Sequence, residues 1–108
     1  MLLFRGGLNF DTATQDQVQQ AMMKWKDWMD ELAIQGRLIG GKRLTKKGVV
    51  LEGSKKQMTD GPYVEGKEMV GGYLGIKAMD FEEAIEIAHN CPIFNFDGIV
   101  EVREIIVN

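Results

Sequence analysis

Asp60-Gly61-Pro62-Tyr63-Val64-Glu65-Gly66-Lys67-Glu68-Met69-Val70-Gly71-Gly72-Tyr73 is the stretch on which the reading of this chain turns. It opens as a turn, Asp60-Gly61-Pro62, made of the residue types that turns favour. A charged loop, Glu65 to Glu68, follows. From Met69 to Met79 the residues alternate. Val70, Gly72, Leu74, Ile76 and Ala78 share one face; Gly71, Tyr73, Gly75, Lys77 and Met79 share the other. That alternation predicts a strand, and its glycines predict a bulge or the close approach of another backbone.

Upstream, Leu2-Leu3-Phe4-Arg5 is a short apolar run closed by Gly6-Gly7 and fits a buried strand. Residues 8–13 connect it to Thr14-Gln15-Asp16-Gln17, a capping box. Val18, Ala21, Met22, Trp25, Trp28, Met29 and Leu32 then recur every three or four positions. They predict an amphipathic helix over 14–35 whose stripe covers a sheet, with Gly36 as its left-handed cap. Trp25 and Trp28 read as core. Leu38 to Gly41 lead into a strand at Val49–Glu52, a turn at Gly53-Ser54, and a return strand at Lys56–Thr59: a β-hairpin.

Downstream, Asp80 is an N-cap with Glu83 three residues on. Phe81, Ala84, Ile85 and Ala88 predict the stripe of a second helix, ended near Cys91 by Pro92. Gly98 opens a last alternating strand, Ile99 to Val107. The order is β-α-β-β-β-α-β. This is an α+β chain: a split βαβ, ferredoxin-like antiparallel sheet with two helices on one face and an extra hairpin. The second face keeps apolar residues and has no cover, which predicts a symmetric homodimer.

The chain has 108 residues, 44% hydrophobic and 27% charged, which suits a single domain over 1–108. Its net charge is −3 and its pI about 5.1, which speaks against nucleic-acid binding, a task that needs a basic surface. The one dense basic stretch, Lys42-Arg43, Lys46-Lys47 and Lys55-Lys56, reads as a solvated hairpin. A single cysteine, Cys91, fits a reducing compartment. No apolar run is long enough to cross a bilayer, and none looks like a signal peptide. The expectation is a cytoplasmic protein with no membrane role.

Asp60-Gly61-Pro62-Tyr63, Glu65, Lys67-Glu68 and Gly71-Gly72-Tyr73 together resemble the DGPF-type branch of the YCII-related proteins. Tyr63 stands where that branch usually has Phe. The resemblance runs on through Asp80–Ala88 and Cys91-Pro92 to Val100–Glu104. It implies a dimeric α/β barrel in which the motif loop borders a cleft beside the dimer interface. Some relatives are proposed to be enzymes using a His and an Asp, and others are associated with sigma factors. The branch's His falls on the first helix, and residues 14–35 of this chain contain none.

For chemistry the chain offers Asp60 and His89, its only histidine, as proton-transfer candidates. Asp60 also suits a purely structural turn, and His89 a helix C-terminus, where the dipole favours its cation. Arg5, Tyr63, Glu65, Lys67, Glu68 and Tyr73 are candidate ligand contacts. Arg5 on a central strand needs an anion, supplied by Glu101, by Glu104 or by a bound ligand. One His beside one Cys makes no metal site, and no cofactor motif is present. The expected function is a small-molecule or enzymatic cleft near the Asp60 loop of a homodimer. The alternatives are a regulatory interaction module and a heme or quinol monooxygenase.

Overall fold

Thr14 starts the long helix as its sequence predicts. The Gln17 amide donates to the Thr14 hydroxyl at 3.1 Å, and the Thr14 amide donates to the Gln17 side chain at 2.9 Å. The computed structural model describes residues 1–61 and 69–106. In chain order these form β1 (Leu2–Arg5), α1 (Gln15–Ile34), β2 (Leu38–Arg43), β3 (Val49–Glu52), β4 (Gln57–Asp60), β5 (Val70–Ile76), α2 (Phe81–His89), a 3-10 turn at Pro92–Phe96 and β6 (Ile99–Val102).

Four strands make one antiparallel sheet in the order β2-β5-β1-β6, and β3 pairs with β4 as a separate hairpin. This is the ferredoxin-like α+β arrangement. Leu2, Phe4, Leu74 and Ile76 point to the helical side, where Trp28, Leu32, Ile87, Ala88, Cys91 and Ile93 complete the core. Phe4 and Trp25 meet edge to face at 5.0 Å between centroids, and Trp25 and Trp28 at 5.6 Å, both near perpendicular. Such edge-to-face pairs add about 1 kcal/mol each beyond the area they bury.

The sequence pattern misses β2. Leu38–Arg43 has two adjacent glycines, a register shift between Leu38 and Gly40, and mostly exposed side chains. An edge strand of this kind carries no period-two signal. Its pairing comes from β5 instead: a Cβ on Gly41 would collide with the Tyr73 carbonyl and the Leu74 Cα. β2 is therefore the frame strand after α1, and the hairpin is an excursion between β2 and β5.

Other boundaries also move. Met22 is 54% exposed, and Phe81 is exposed while Ile87 takes its place in the α2 stripe. The helix stops at His89 and the chain re-enters at Pro92, which begins the 3-10 turn. β5 ends at Ile76 and β6 at Val102; residues 103–106 are not strand, and 107–108 lie outside the described residues.

Gly41→Ala is expected to lose about 2 kcal/mol of unfolding free energy, because overpacking against fixed backbone cannot relax. Gly53→Ala is the control. Its Cβ would meet nothing within 4 Å, and the strain of φ +74° is expected to cost about 1 kcal/mol. Urea denaturation of both variants checks the ranking.

Candidate functional site

Directly paired residues share a sheet face, so the register defines what the open face presents. Lys42 pairs with Tyr73, Tyr73 with Leu3, and Leu3 with Glu101. These four side chains form one row across all four strands, on the side away from the helices. Arg5 and Ile99 form the next row. Between them, the strand partners of β1 shift register at Phe4/Arg5, so Arg5 stands opposite Val70 and Gly71 is the extra residue.

Glu101 is held by two guanidiniums. Arg5 Nη1 donates to Oε1 at 2.7 Å, and Arg103 Nη1 donates to Oε2 at 3.1 Å. The Arg5 side chain is only 17% exposed. Hydrogen bonds from Arg103 and then from Arg5 hold the Glu101 carboxyl below its ordinary value. Two cations share one carboxylate here, and Lys42 lies two strands away on the same face. The open face is therefore positive although the chain is acidic. Its apolar content is Leu3 and Tyr73, half-buried, with Ile39 and Ile99 exposed.

Arg5 and Tyr73 thus come to one face. His89 does not join them. It is exposed at the end of α2, on the helical side of the sheet, where α1, α2 and the 3-10 turn border a shallow groove of about 780 Å³. Lys24, Glu31, Arg37, Glu86 and Asn95 line that groove with it. Asp60 ends β4 opposite Val49, and Gly61 turns the chain at φ +85°, its amide donating to Gly48 at 2.7 Å. The Asp60 side chain, and Tyr63, Glu65, Lys67 and Glu68, lie outside the described residues. The chain re-enters at Met69, one residue from Val70 and so next to Arg5 in the sheet.

Cys91 is buried in the core, and burial pushes its thiol up to about 12, which removes it as a nucleophile near neutral pH. Among the described residues no group of three His, Cys, Asp or Glu side chains is placed to hold a metal, and no helix is long and apolar enough to cross a membrane.

The YCII-related domain matches residues 8–107. The chain belongs to the YCII-related family. Among solved structures, this YCII-related chain is similar to a 5-chloro-2-hydroxyhydroquinone dehydrochlorinase from Burkholderia phenoliruptrix, solved in complex with 2,5-dihydroxybenzoquinone. The TM-score is 0.50 with 18% identity, over 95% of this chain and 91% of the other. That likeness is one of fold. A comparison with curated proteins returns no match.

Sequence reasoning finds Arg5, its Glu101 partner and Tyr73. It misses Lys42 as a face residue because it misses β2, and it leaves Arg103 as one charge among several on the last strand.

A depressed carboxylate stabilises the fold above its ordinary pKa, and that contribution drains away as pH falls through the lowered native value. Glu101→Gln is therefore expected to unfold at lower urea than the parent at pH 7. The two midpoints converge as pH falls below 4.5, the ordinary Glu value; a constant gap from pH 7 to pH 3 contradicts the assignment. For Cys91, a thiol reagent at pH 8 is expected to react only at the rate of unfolding, and fast labelling of native protein contradicts its burial.

Proposed function

We propose that this YCII-related chain is one half of a homodimer that closes its open sheet face, leaving a cleft for a small acidic or aromatic molecule near the Asp60 motif loop. The observation that carries the reading is the character of that face. It combines exposed and half-buried apolar groups with a surplus of positive charge, on a chain whose net charge is −3. A sheet face of that kind is poorly suited to water and well suited to a partner. Two-fold symmetry offers the simplest one.

Within the cleft, Arg5 orients an anionic group. Only one guanidinium bond of Arg5 to a side chain is present among the described residues, the one to Glu101, so donors remain for a ligand. Tyr73 offers a ring for stacking, and Lys42 offers a second cation. The motif loop returns to the sheet beside Arg5, which favours Tyr63, Glu65, Lys67 and Glu68 as the border of the same cleft, with Asp60 as the carboxylate available to move a proton. The neighbouring dehydrochlorinase, in complex with a dihydroxybenzoquinone, suggests the ligand class: small rings bearing ionisable oxygens.

Light scattering at micromolar concentration is expected to report about twice the 12.2 kDa of one chain. Thermal-shift titration with benzoate, salicylate and 2,5-dihydroxybenzoquinone is expected to stabilise the parent. Arg5→Ala is expected to weaken that binding by roughly ten- to a hundredfold, the effect of losing a charge-assisted hydrogen bond. A mass of one chain removes the dimer. Failure of every ring acid to shift the melting temperature removes the cleft.

A further inference from the structure

The bulge in β5 leaves a depression on the open sheet face. Gly71 stands two residues from Tyr73 and so shares its side of the sheet. A Cβ added to Gly71 would meet only the Phe4 carbonyl oxygen, 3.9 Å away. Its φ lies outside the left-handed region, so the backbone there would tolerate a side chain, yet the residue has none. Gly75, on the other side of Tyr73, differs: a Cβ there would press on the Ile39 Cβ at 3.3 Å. The depression is confined to the Arg5 side of the ring, because Arg5 stands beside Gly71 on β1, opposite Val70.

Two cations flank it from opposite strands. Lys42 pairs with Tyr73 from β2, and Arg5 lies two residues beyond Leu3, the partner of Tyr73 on β1. Two strand spacings across and two residues along set the Arg5 and Lys42 Cα atoms about 12 Å apart. Side chains of their length can place a charged end at either end of one ring lying between them. Arg5 is fixed by its 2.7 Å bond to Glu101 and keeps further donors. Lys42 is exposed and makes no ion pair among the described residues.

The charge balance points the same way. Arg5, Arg103 and Lys42 against Glu101 leave a surplus of two positive charges among the described residues of this face. One anionic group on a ligand would neutralise half of it.

We propose that the depression takes a ring dianion with its acidic groups at opposite ends, one on Arg5 and the other on Lys42, the ring lying over Gly71 against Tyr73. This rests on the cleft reading and names its ligand class more narrowly. It makes Lys42 the residue that prefers two charges to one. The bare backbone at Gly71 is the room the ring needs.

The test is calorimetric titration of the full chain with benzoate, phthalate and terephthalate at constant ionic strength, since salt screens exposed charges. Terephthalate, with its acid groups para, is expected to bind roughly tenfold or more tighter than benzoate, the effect of a second charge-assisted hydrogen bond. It is also expected to outbind phthalate, whose groups are adjacent. Lys42→Met keeps an unbranched stem without the charge. It is expected to cost terephthalate roughly tenfold or more and benzoate less than about threefold. Gly71→Val, with its fold checked by circular dichroism, is expected to weaken all three acids. Benzoate binding as tightly as terephthalate, or Lys42→Met weakening both equally, overturns the two-ended seat and leaves the cleft standing. Unchanged affinities in folded Gly71→Val overturn its position. A parent that binds none of the three acids overturns the cleft and this inference together.

Discussion

The edge-to-face contact between the Trp25 indole and the Phe4 ring decides which way β1 faces, and β1 decides the rest. β1 is bonded on one side to β5 and on the other to β6. Side chains along a strand alternate with period two, so a strand turned over would exchange its whole core set for its outer set. With Phe4 and Leu2 seated under the helices, Leu3 and Arg5 must face outward. The register then carries Tyr73 and Glu101 to the same side, and β5 carries Lys42. The charged and aromatic face follows from the same choice that builds the core.

The paired glycines of the motif serve that geometry. Gly72 pairs with Phe4 on the core face. A Cβ there would stand 3.1 Å from the Lys42 carbonyl oxygen, tight against the backbone of β2. Gly71 is the extra residue of the bulge, and it moves Arg5 into line with Val70. A bulge bends and twists its strand locally, and here it does so where the motif loop rejoins the sheet. The glycines thus contribute to a site indirectly: they set where Arg5 stands relative to the loop's end.

The helices were legible from sequence because capping and periodicity act locally. Thr14 with Gln17 and Asp80 with Glu83 each need only three residues of context, and both caps form. Arg5 was legible for a different reason. A guanidinium in an apolar strand demands an anion, and Glu101 answers that demand at 2.7 Å. β2 was illegible because nothing in Leu38–Arg43 marks it as a strand. Its identity lies in Tyr73 and Leu74, some thirty residues further on, which leave room for a glycine and for nothing larger. Lys42 was lost with it. Ile87 displaced Phe81 from the core because a short helix fixes its rotation by what it packs on rather than by its own apolar count.

Charge in this chain is segregated rather than spread. Carboxylates outnumber cations overall, yet the described residues of the open sheet face carry a positive surplus. That surplus is not neutralised on the same face: Arg5 and Arg103 share a single Glu101. Surface ion pairs contribute little to stability, so segregation of this kind is a weak way to hold a fold together. It is a more effective way to direct association, because complementary surfaces steer encounter and fix orientation. The helical side, with its aromatic stack and buried aliphatic core, already accounts for stability without help from these charges. The surplus on the open face is then best understood in the terms of the proposed cleft, as a seat for an anionic ligand.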